Sequence, residues 1–144
     1  MLTIVNQNLL SVKTGIIAHQ CNCQGVMGAG VARQIRDHYP HVYSFYQQAC
    51  RNGQFNLGTM QLIQAGASLY IANLGGQYGF GVTRCQTDYK ALTQCLKQLH
   101  RASLQLNLTP YLPFGLGSGL AGGNWDIVKQ LIDLHCPNAI ICQL

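Results

Sequence analysis

Apolar and polar residues follow one another along this chain with two different periods, and the shorter period marks strands. Short apolar runs that are bounded by glycine, proline or other turn residues predict six strands. These runs lie at residues 2–5, 15–19, 59–64, 68–73, 109–113 and 139–144. The third and fourth runs are joined by Ala65-Gly66-Ala67, which predicts a hairpin-like connection between them.

The longer period predicts helices between these strands. Residues 31–38 and 41–50 both have helical spacing and are separated by a proline, which ends the first helix. The clearest helix spans residues 87–104, where an apolar face lies opposite the lysine and arginine side chains. Asn124 is placed to cap a fourth helix that runs to His135. Strands that alternate with helices predict a layered α/β domain.

The length and composition are those of one globular domain. The chain has 144 residues, so we expect a single domain over residues 1–144. Hydrophobic residues make up 48% and charged residues 9%, a balance that excludes a disordered chain. No apolar run approaches the roughly 18–20 residues that span a bilayer, and the N-terminus lacks the basic start of a signal peptide. The sequence therefore predicts a soluble, cytoplasmic protein without membrane contact, and we expect a monomer.

The charge balance favours an anionic ligand. Nine lysines and arginines face four acidic residues, all aspartates, for a formal net charge of +5. Such a balance attracts phosphates or nucleic acids. The basic residues are scattered, however, with no run of four, so a specific nucleic-acid partner is not expected. A nucleic-acid-binding module, which depends only on this charge, ranks last among the functions we consider.

Seven cysteines in a chain without a secretory signal predict reduced thiols rather than a disulfide framework. The string His19-x-Cys21-x-Cys23 also invites a metal-binding interpretation. A zinc site normally has a second pair of ligands at similar spacing, and the sequence offers none, so we expect no metal and no other cofactor.

Two glycine-rich segments carry the strongest chemical signal. Residues 25–30 and 115–123 each follow a predicted strand and precede a predicted helix. Such turns bring backbone N–H groups and a helix N-terminus close to an anion, and two of them can hold both phosphates of a diphosphate. The first lacks the Gly-Lys-Ser/Thr ending of a P-loop. The second matches G-x-G-x-x-G, but no acidic residue follows at the distance that a dinucleotide-binding fold requires.

These segments resemble the ligand loops of a known family. Residues 17–23 followed by Gly28-Ala29-Gly30-Val31-Ala32 resemble the first ligand loop of macrodomains, and residues 113–125 resemble the second, phosphate-binding loop. Residues 71–74 and 76–79 resemble a segment of bacterial and phage-like members. The resemblance covers nearly the whole chain and is closest to the stand-alone ADP-ribose-1″-phosphate phosphatase branch. It implies a three-layer α/β/α fold with a central mixed sheet, and ADP-ribose or a 1″-substituted ADP-ribose as the ligand.

The resemblance also implies roles for individual residues. His19 is the implied catalytic residue, which transfers a proton. The implied ligand-binding residues are Asn8, Asn22, Gly28, Ala29, Gly30, Val31, Gly117, Ser118, Gly119, Leu120 and Ala121. Asn8 would accept the adenine amino group and Asn22 would contact the distal ribose. Simpler interpretations stay open, in which His19 is a hydrogen-bonded structural residue and Asn22 forms a turn.

Three functions follow from the resemblance. The first is hydrolysis of ADP-ribose 1″-phosphate or a related 1″-substituted ADP-ribose. The second is a non-catalytic reader or sequestering module for ADP-ribose. The third is de-ADP-ribosylation without a lysine: the deacylating branch uses a lysine and an aspartate, but this chain has Ala121 at the aspartate position and no lysine near Asn73. A nucleophilic Cys21 or Cys23 is disfavoured because no arginine-rich cradle accompanies it.

Overall fold

Six strands form one mixed sheet in the computed structural model, which describes residues 2–144. The strands are β1 (Thr3–Asn6), β2 (Gly15–Cys21), β3 (Met60–Gly66), β4 (Leu69–Gly75), β5 (Pro110–Pro113) and β6 (Ile140–Gln143). Their order across the sheet is β1-β6-β5-β2-β4-β3. All neighbours are parallel except β3 and β4, which form the predicted antiparallel hairpin with a register shift between Gln64 and Gly66.

Four α-helices and one short 3-10 helix connect the strands. The α-helices are α1 (Gly30–His38), α2 (Pro40–Arg51), α3 (Tyr89–Leu106) and α4 (Trp125–His135). The 3-10 helix, Leu9–Ser11, was not predicted, because three residues are too few to show a period. Of the residues described, none belongs to a helix that is both long and apolar enough to cross a membrane.

Three of the α-helices begin where their local sequence favours a start. The Asp88 carboxylate accepts a hydrogen bond from the Ala91 N–H (2.9 Å), so α3 begins two residues later than residue 87 of the prediction. Asn124 caps α4 as predicted, through its Oδ1 and the Asp126 and Ile127 N–H groups. Pro40 opens α2, where its missing N–H costs nothing.

The helices cover both faces of the sheet and bury two apolar layers. On one face, Leu92, Leu96 and Leu99 of α3 and Val128 and Ile132 of α4 pack on the sheet. On the other face, Ile35 of α1 and Val42 of α2 pack on Ile17 and Ile71. β2 lies between β5 and β4 and contributes alternate residues to both layers, so nearly all of it is buried. The predicted three-layer α/β/α fold with a central mixed sheet is confirmed.

Candidate ligand-binding cleft

A large cleft lies where the chain leaves two neighbouring parallel strands in opposite directions. β2 leads into α1 on one face of the sheet, and β5 leads into α4 on the other face. In open α/β sheets such a divergence leaves a crevice at the carboxyl ends of the strands, where ligands bind. The crevice here has a volume of about 720 Å³, and both glycine-rich segments border it.

Most of the residues proposed from the sequence meet in this cleft. The lining comprises His19, Gln20, Cys21, Asn22, Val26, residues 28–32, Gln77, residues 80–82, residues 113–117 and residues 119–121. The structure therefore brings together the implied catalytic residue and all of the implied ligand-binding residues except Asn8 and Ser118.

Asn8 and Ser118 have other positions. The Asn8 side chain caps the 3-10 helix, with its Oδ1 accepting from the Leu10 N–H at 3.0 Å. Asn8 lines a smaller hollow of about 340 Å³ that shares Val31, Pro113 and Phe114 with the main cleft. The Ser118 hydroxyl donates to the Gly115 carbonyl (2.7 Å) and so closes the turn of its own loop.

Asn22 shapes the first loop from inside. Its Oδ1 accepts from the Tyr46 hydroxyl (2.7 Å) and from the Gln24 and Val26 N–H groups, and its Nδ2 donates to the Val26 carbonyl (2.7 Å). The side chain is 7% exposed and borders the cleft. Asn22 is therefore a turn former, as the simpler interpretation expected, while its Nδ2 keeps one further hydrogen that it can donate.

A polar brace holds the second loop against the sheet. Gln20, at the end of β2, donates from its Nε2 to the Gln77 Oε1 (2.8 Å) and to the Thr87 hydroxyl oxygen (3.0 Å). Thr87 in turn donates to the Gly117 carbonyl at 2.6 Å. This series of hydrogen bonds links β2, the segment after β4 and the second glycine loop, so the position of that loop depends on the other two.

Backbone N–H groups of both glycine loops lack protein partners. α1 begins with Ala29 at its N-cap, which supplies no side-chain acceptor, so in the described part of the chain the first-turn N–H groups of Gly30, Val31 and Ala32, which line the cleft, have no acceptor. Within the part of the chain that the structure describes, the N–H groups of Gly119 and Leu120 also lack a protein acceptor. Unpaired backbone N–H groups of this kind are suited to an anion.

The mouth of the cleft is apolar, which the sequence did not predict. Phe80 (58% exposed) and Val82 (73%) come from the segment between β4 and α3, and Leu120 (58%) comes from the second loop. Tyr78 and Arg84 lie in the same segment as Phe80, and neither lines the cleft. The Gly79-Phe80-Gly81 pattern is the signal that would have identified Phe80, since flanking glycines free a side chain to project from a loop.

His19 borders the cleft but is buried, and it is the first member of a series of hydrogen bonds that passes through two side-chain amides. It is 1% exposed, and its Nε2 lies 2.6 Å from the Asn73 Oδ1. The Asn73 Nδ2 donates to the Gln61 Oε1 (3.0 Å), and the Gln61 Nε2 donates to the Phe45 carbonyl (3.3 Å). A backbone carbonyl can only accept, so it fixes the orientation of both amides. His19 must then donate from Nε2, which leaves a lone pair on its Nδ1.

Burial keeps both His19 and Cys21 uncharged. Burial lowers the pKa of His19 to about 4, against an upward contribution from its hydrogen bond with Asn73, so the imidazole is neutral at pH 7. The Cys21 Sγ lies 3.8 Å from the His19 Nδ1, and burial raises the pKa of its thiol well above the ordinary value. A thiolate nucleophile needs the opposite environment. Among residues 2–144, no group of three His, Cys, Asp or Glu side chains could hold a metal ion.

The amide chain leads to a spectroscopic prediction. In a 15N NMR spectrum at pH 7, His19 is expected to carry its proton on Nε2 and none on Nδ1, because the Phe45 carbonyl fixes both amides. Gln61→Leu frees the Asn73 amide to rotate, so a mixture of the two tautomers is expected. Gln61→Glu keeps the acceptor for Asn73 and serves as the control. A proton on Nδ1 in the parent chain would contradict the assignment.

Comparison with known proteins places the chain in a family. A model of the Macro domain matches residues 18–132. The chain belongs to the macrodomain family. The macrodomain of Thermus aquaticus DarG has a TM-score of 0.84 and 28% identity, covering 100% of this chain and 99% of that one. The resemblance inferred from the two glycine loops is thus confirmed.

Two named hydrolases are among the relatives of this macrodomain. A DNA ADP-ribosyl glycohydrolase of Mycobacterium tuberculosis is 29% identical over 133 residues, which cover 90% of this chain and 37% of the relative. An ADP-ribose 1″-phosphate phosphatase of Meyerozyma guilliermondii is 35% identical over 74 residues, which cover 46% of this chain and 42% of the relative. The chain thus matches about two fifths of the length of either relative.

Proposed function

We propose that this macrodomain binds ADP-ribose, with the diphosphate between the two glycine loops. One observation carries the proposal: α1 begins without a side-chain cap, and in the described part of the chain the N–H groups of two sets of cleft-lining residues, Gly30 to Ala32 and Gly119 to Leu120, have no protein acceptor. By contrast, α3 and α4 are capped by Asp88 and Asn124. A helix end left without a cap at this cleft is suited to an anion that takes the place of the cap.

The absence of acidic side chains supports this ligand. Among the described residues that line the cleft, there is no Asp or Glu to repel a diphosphate. Lysine and arginine are absent from the same lining, so the attraction comes from backbone dipoles and from the net charge of +5. Val26 and Phe114 supply apolar surface for the ribose and adenine rings. The hollow beside Asn8 extends the cleft, which makes room for a ligand as long as ADP-ribose.

The bound ligand is, in this proposal, hydrolysed at C1″ of the distal ribose. Water adds its oxygen to C1″ while the bond from C1″ to the substituent breaks. The substituent leaves with the bonding electrons and takes up the proton that water releases, so that ADP-ribose remains. For a 1″-phosphate, attack of water at phosphorus gives the same two products. Hydrolases among the relatives support this activity, and the substituent is to be identified by assay.

His19 is the residue through which we propose that the proton moves. Its Nδ1 is unprotonated at neutral pH and can accept a proton, but a pKa of about 4 makes it a weak base. The expected contribution is therefore at the low end for general base catalysis, about 100-fold. His19→Gln keeps an amide donor for Asn73, so we expect kcat to fall about 100-fold while the affinity for ADP-ribose changes little.

A non-catalytic reader is the second candidate. It is favoured by a specific observation: of the described side chains that line the cleft, only His19 and Cys21 are titratable, and both are neutral and nearly inaccessible. Backbone donors alone bind an anion but provide no strong acid or base. This candidate predicts tight binding without turnover.

Thermal unfolding and product analysis distinguish the candidates. ADP-ribose at about 100 times its dissociation constant is expected to stabilise the chain by roughly 2.7 kcal/mol, and AMP, which lacks the diphosphate, by much less. Turnover is then measured on ADP-ribose 1″-phosphate and on an ADP-ribosylated single-stranded oligonucleotide, beside His19→Gln. Equal shifts with AMP and ADP-ribose would contradict the diphosphate proposal. Binding without turnover of either substrate would favour the reader.

A further inference from the structure

β3 is an edge strand of the sheet, and one side of its backbone has no neighbouring strand. It pairs only with β4, in an antiparallel ladder. The Gly75 N–H donates to the Thr59 carbonyl (2.8 Å), so the odd-numbered residues along this part of the chain turn their backbone groups to β4. The N–H and C=O groups of Met60, Leu62 and Gln64 therefore point away from the sheet.

One of these outward groups is occupied, and those of two residues are open. The Gln64 carbonyl accepts from the His41 Nε2 of α2 at 3.2 Å. Within residues 2–144, the N–H and C=O groups of Met60 and Leu62 have no hydrogen-bond partner outside the sheet. The open part of the edge is thus residues 60–62, with four free backbone groups.

β3 lacks the features that normally keep edge strands apart. Edge strands are usually protected by charged side chains, by proline or by their shortness. β3 has seven residues, and no charged residue and no proline occurs from residue 52 to residue 83. β1, at the opposite edge, has only four residues. The one irregularity of β3, between Gln64 and Gly66, lies beyond the open part.

Apolar side chains accompany the open part of the edge. Phe45 of α2 is 52% exposed, and its carbonyl accepts from the Gln61 side chain (3.3 Å), which places Phe45 beside β3. Leu57, which precedes the strand by three residues, is 40% exposed. Met60 and Leu62 are half-buried. Water can bond to the open backbone groups, but burial of this apolar surface favours a protein partner.

A second copy of this chain matches the edge. About a two-fold axis at Gln61, the two β3 strands run antiparallel, and Met60 of each copy lies opposite Leu62 of the other. Each pair exchanges two backbone hydrogen bonds, so four bonds use every open group of both copies. Such a contact brings each residue near its own counterpart, where a charge would meet a like charge. The uncharged stretch avoids this repulsion in a chain of net charge +5.

We propose that β3 pairs with β3 of a second copy, so that one continuous sheet crosses a symmetric homodimer. This replaces the monomer expected from the sequence, in which no pattern shows which strand lies at the edge. Of the residues that the structure describes, none from 41 to 66 lines the cleft. Both clefts therefore stay open in the dimer, and the proposal is independent of ADP-ribose binding.

Hydrogen exchange at two protein concentrations tests the pairing. An edge this short predicts a weak dimer, with a dissociation constant on the order of 10 µM. Between about 1 µM and about 200 µM protein, the N–H groups of Met60 and Leu62 should then exchange about fivefold more slowly. The N–H groups of Gln61 and Ile63 face β4 and should not change. Sedimentation over the same range should show the mass approaching twice that of one chain.

Variants at exposed positions separate the edge from other contacts. Phe45→Lys places like charges beside the axis and should remain a single chain at about 200 µM. Leu134→Lys is the matched control, since Leu134 is 72% exposed on α4, and it should associate like the parent. Met60→Pro removes an outward N–H at the first residue of β3, where proline is tolerated, and should weaken association at least tenfold. Circular dichroism checks that each variant is folded.

Other outcomes overturn the proposal. A single-chain mass at about 200 µM, with unchanged exchange at Met60 and Leu62, would leave the edge to a different partner. Association that survives both Phe45→Lys and Met60→Pro would place the contact elsewhere. Salt at about 0.5 M screens the repulsion between two cationic chains, so it should not weaken the dimer, and dissociation by salt would contradict an uncharged interface. ADP-ribose affinity should be the same in parent and variants, so these outcomes leave the proposed function intact.

Discussion

An Ala29→Asp variant is expected to be more stable than the parent chain and to lose its affinity for ADP-ribose. Ala29 is the N-cap of α1, and its backbone (φ −153°, ψ 161°) is already extended as a capping residue requires. The new carboxylate accepts hydrogen bonds from the open first-turn N–H groups, for a gain of about 1 kcal/mol. The same carboxylate occupies the proposed diphosphate position, and its repulsion is expected to weaken binding at least 100-fold.

Two measurements check this prediction. Thermal unfolding should give a midpoint about 3 °C above that of the parent, and calorimetry should detect no ADP-ribose binding at concentrations that saturate the parent. Ala29→Asn is the matched control, because its amide oxygen caps α1 without a charge. It should be stabilised to a similar degree and lose less affinity. Parent-like binding by Ala29→Asp would show that the diphosphate lies elsewhere.

The free energy of unfolding is expected to fall by about 3 kcal/mol between pH 7 and pH 4 because of His19. Burial lowers the pKa of His19 from 6.5 to about 4 in the folded chain. Below pH 6.5 the unfolded chain therefore binds a proton that the folded chain does not, and acid favours unfolding. This contribution to stability is complete above pH 6.5 and is lost as the pH falls towards 4. Each unit of pKa shift corresponds to about 1.4 kcal/mol.

Urea unfolding, followed by circular dichroism at pH 4, 5, 6 and 7, measures this loss. His19→Gln is again the suitable comparison, since glutamine can donate to the Asn73 Oδ1 and does not titrate. The difference in unfolding free energy between parent and variant should be constant above pH 6.5 and shift by about 3 kcal/mol towards pH 4. Parallel curves over the whole range would show that His19 titrates alike in the folded and unfolded chains.

The secondary structure could be predicted because local signals and burial agree in this chain. α3 has an apolar face that contributes Leu92, Leu96 and Leu99 to the core, so its period was visible. β2 is buried on both faces, which gives a continuous apolar run. The 3-10 helix at Leu9–Ser11 escaped prediction because it depends on a single cap by Asn8.

Only part of the candidate site could be predicted from the sequence, and there is a physical reason why the rest could not. The backbone donors of Gly30, Val31, Gly119 and Leu120 could be located from the sequence, because glycine-rich turns after strands face the same edge of a parallel sheet wherever the strands pair. The hydrogen-bond partner of a polar side chain could not be predicted from the sequence. The Ser118 hydroxyl turns to the Gly115 carbonyl and Asn22 turns into its own loop, since the nearest partner in space decides the hydrogen bond.

The sequence by itself thus determined the family, the order of the elements and the two glycine loops, because these depend on local periodicity and on residues adjacent in the chain. Only the tertiary structure decided the rest. It gathers Phe80, Val82 and Leu120 from two separate segments into one apolar mouth. It also buries His19 against Asn73, 54 residues away, and burial rather than residue type sets its charge.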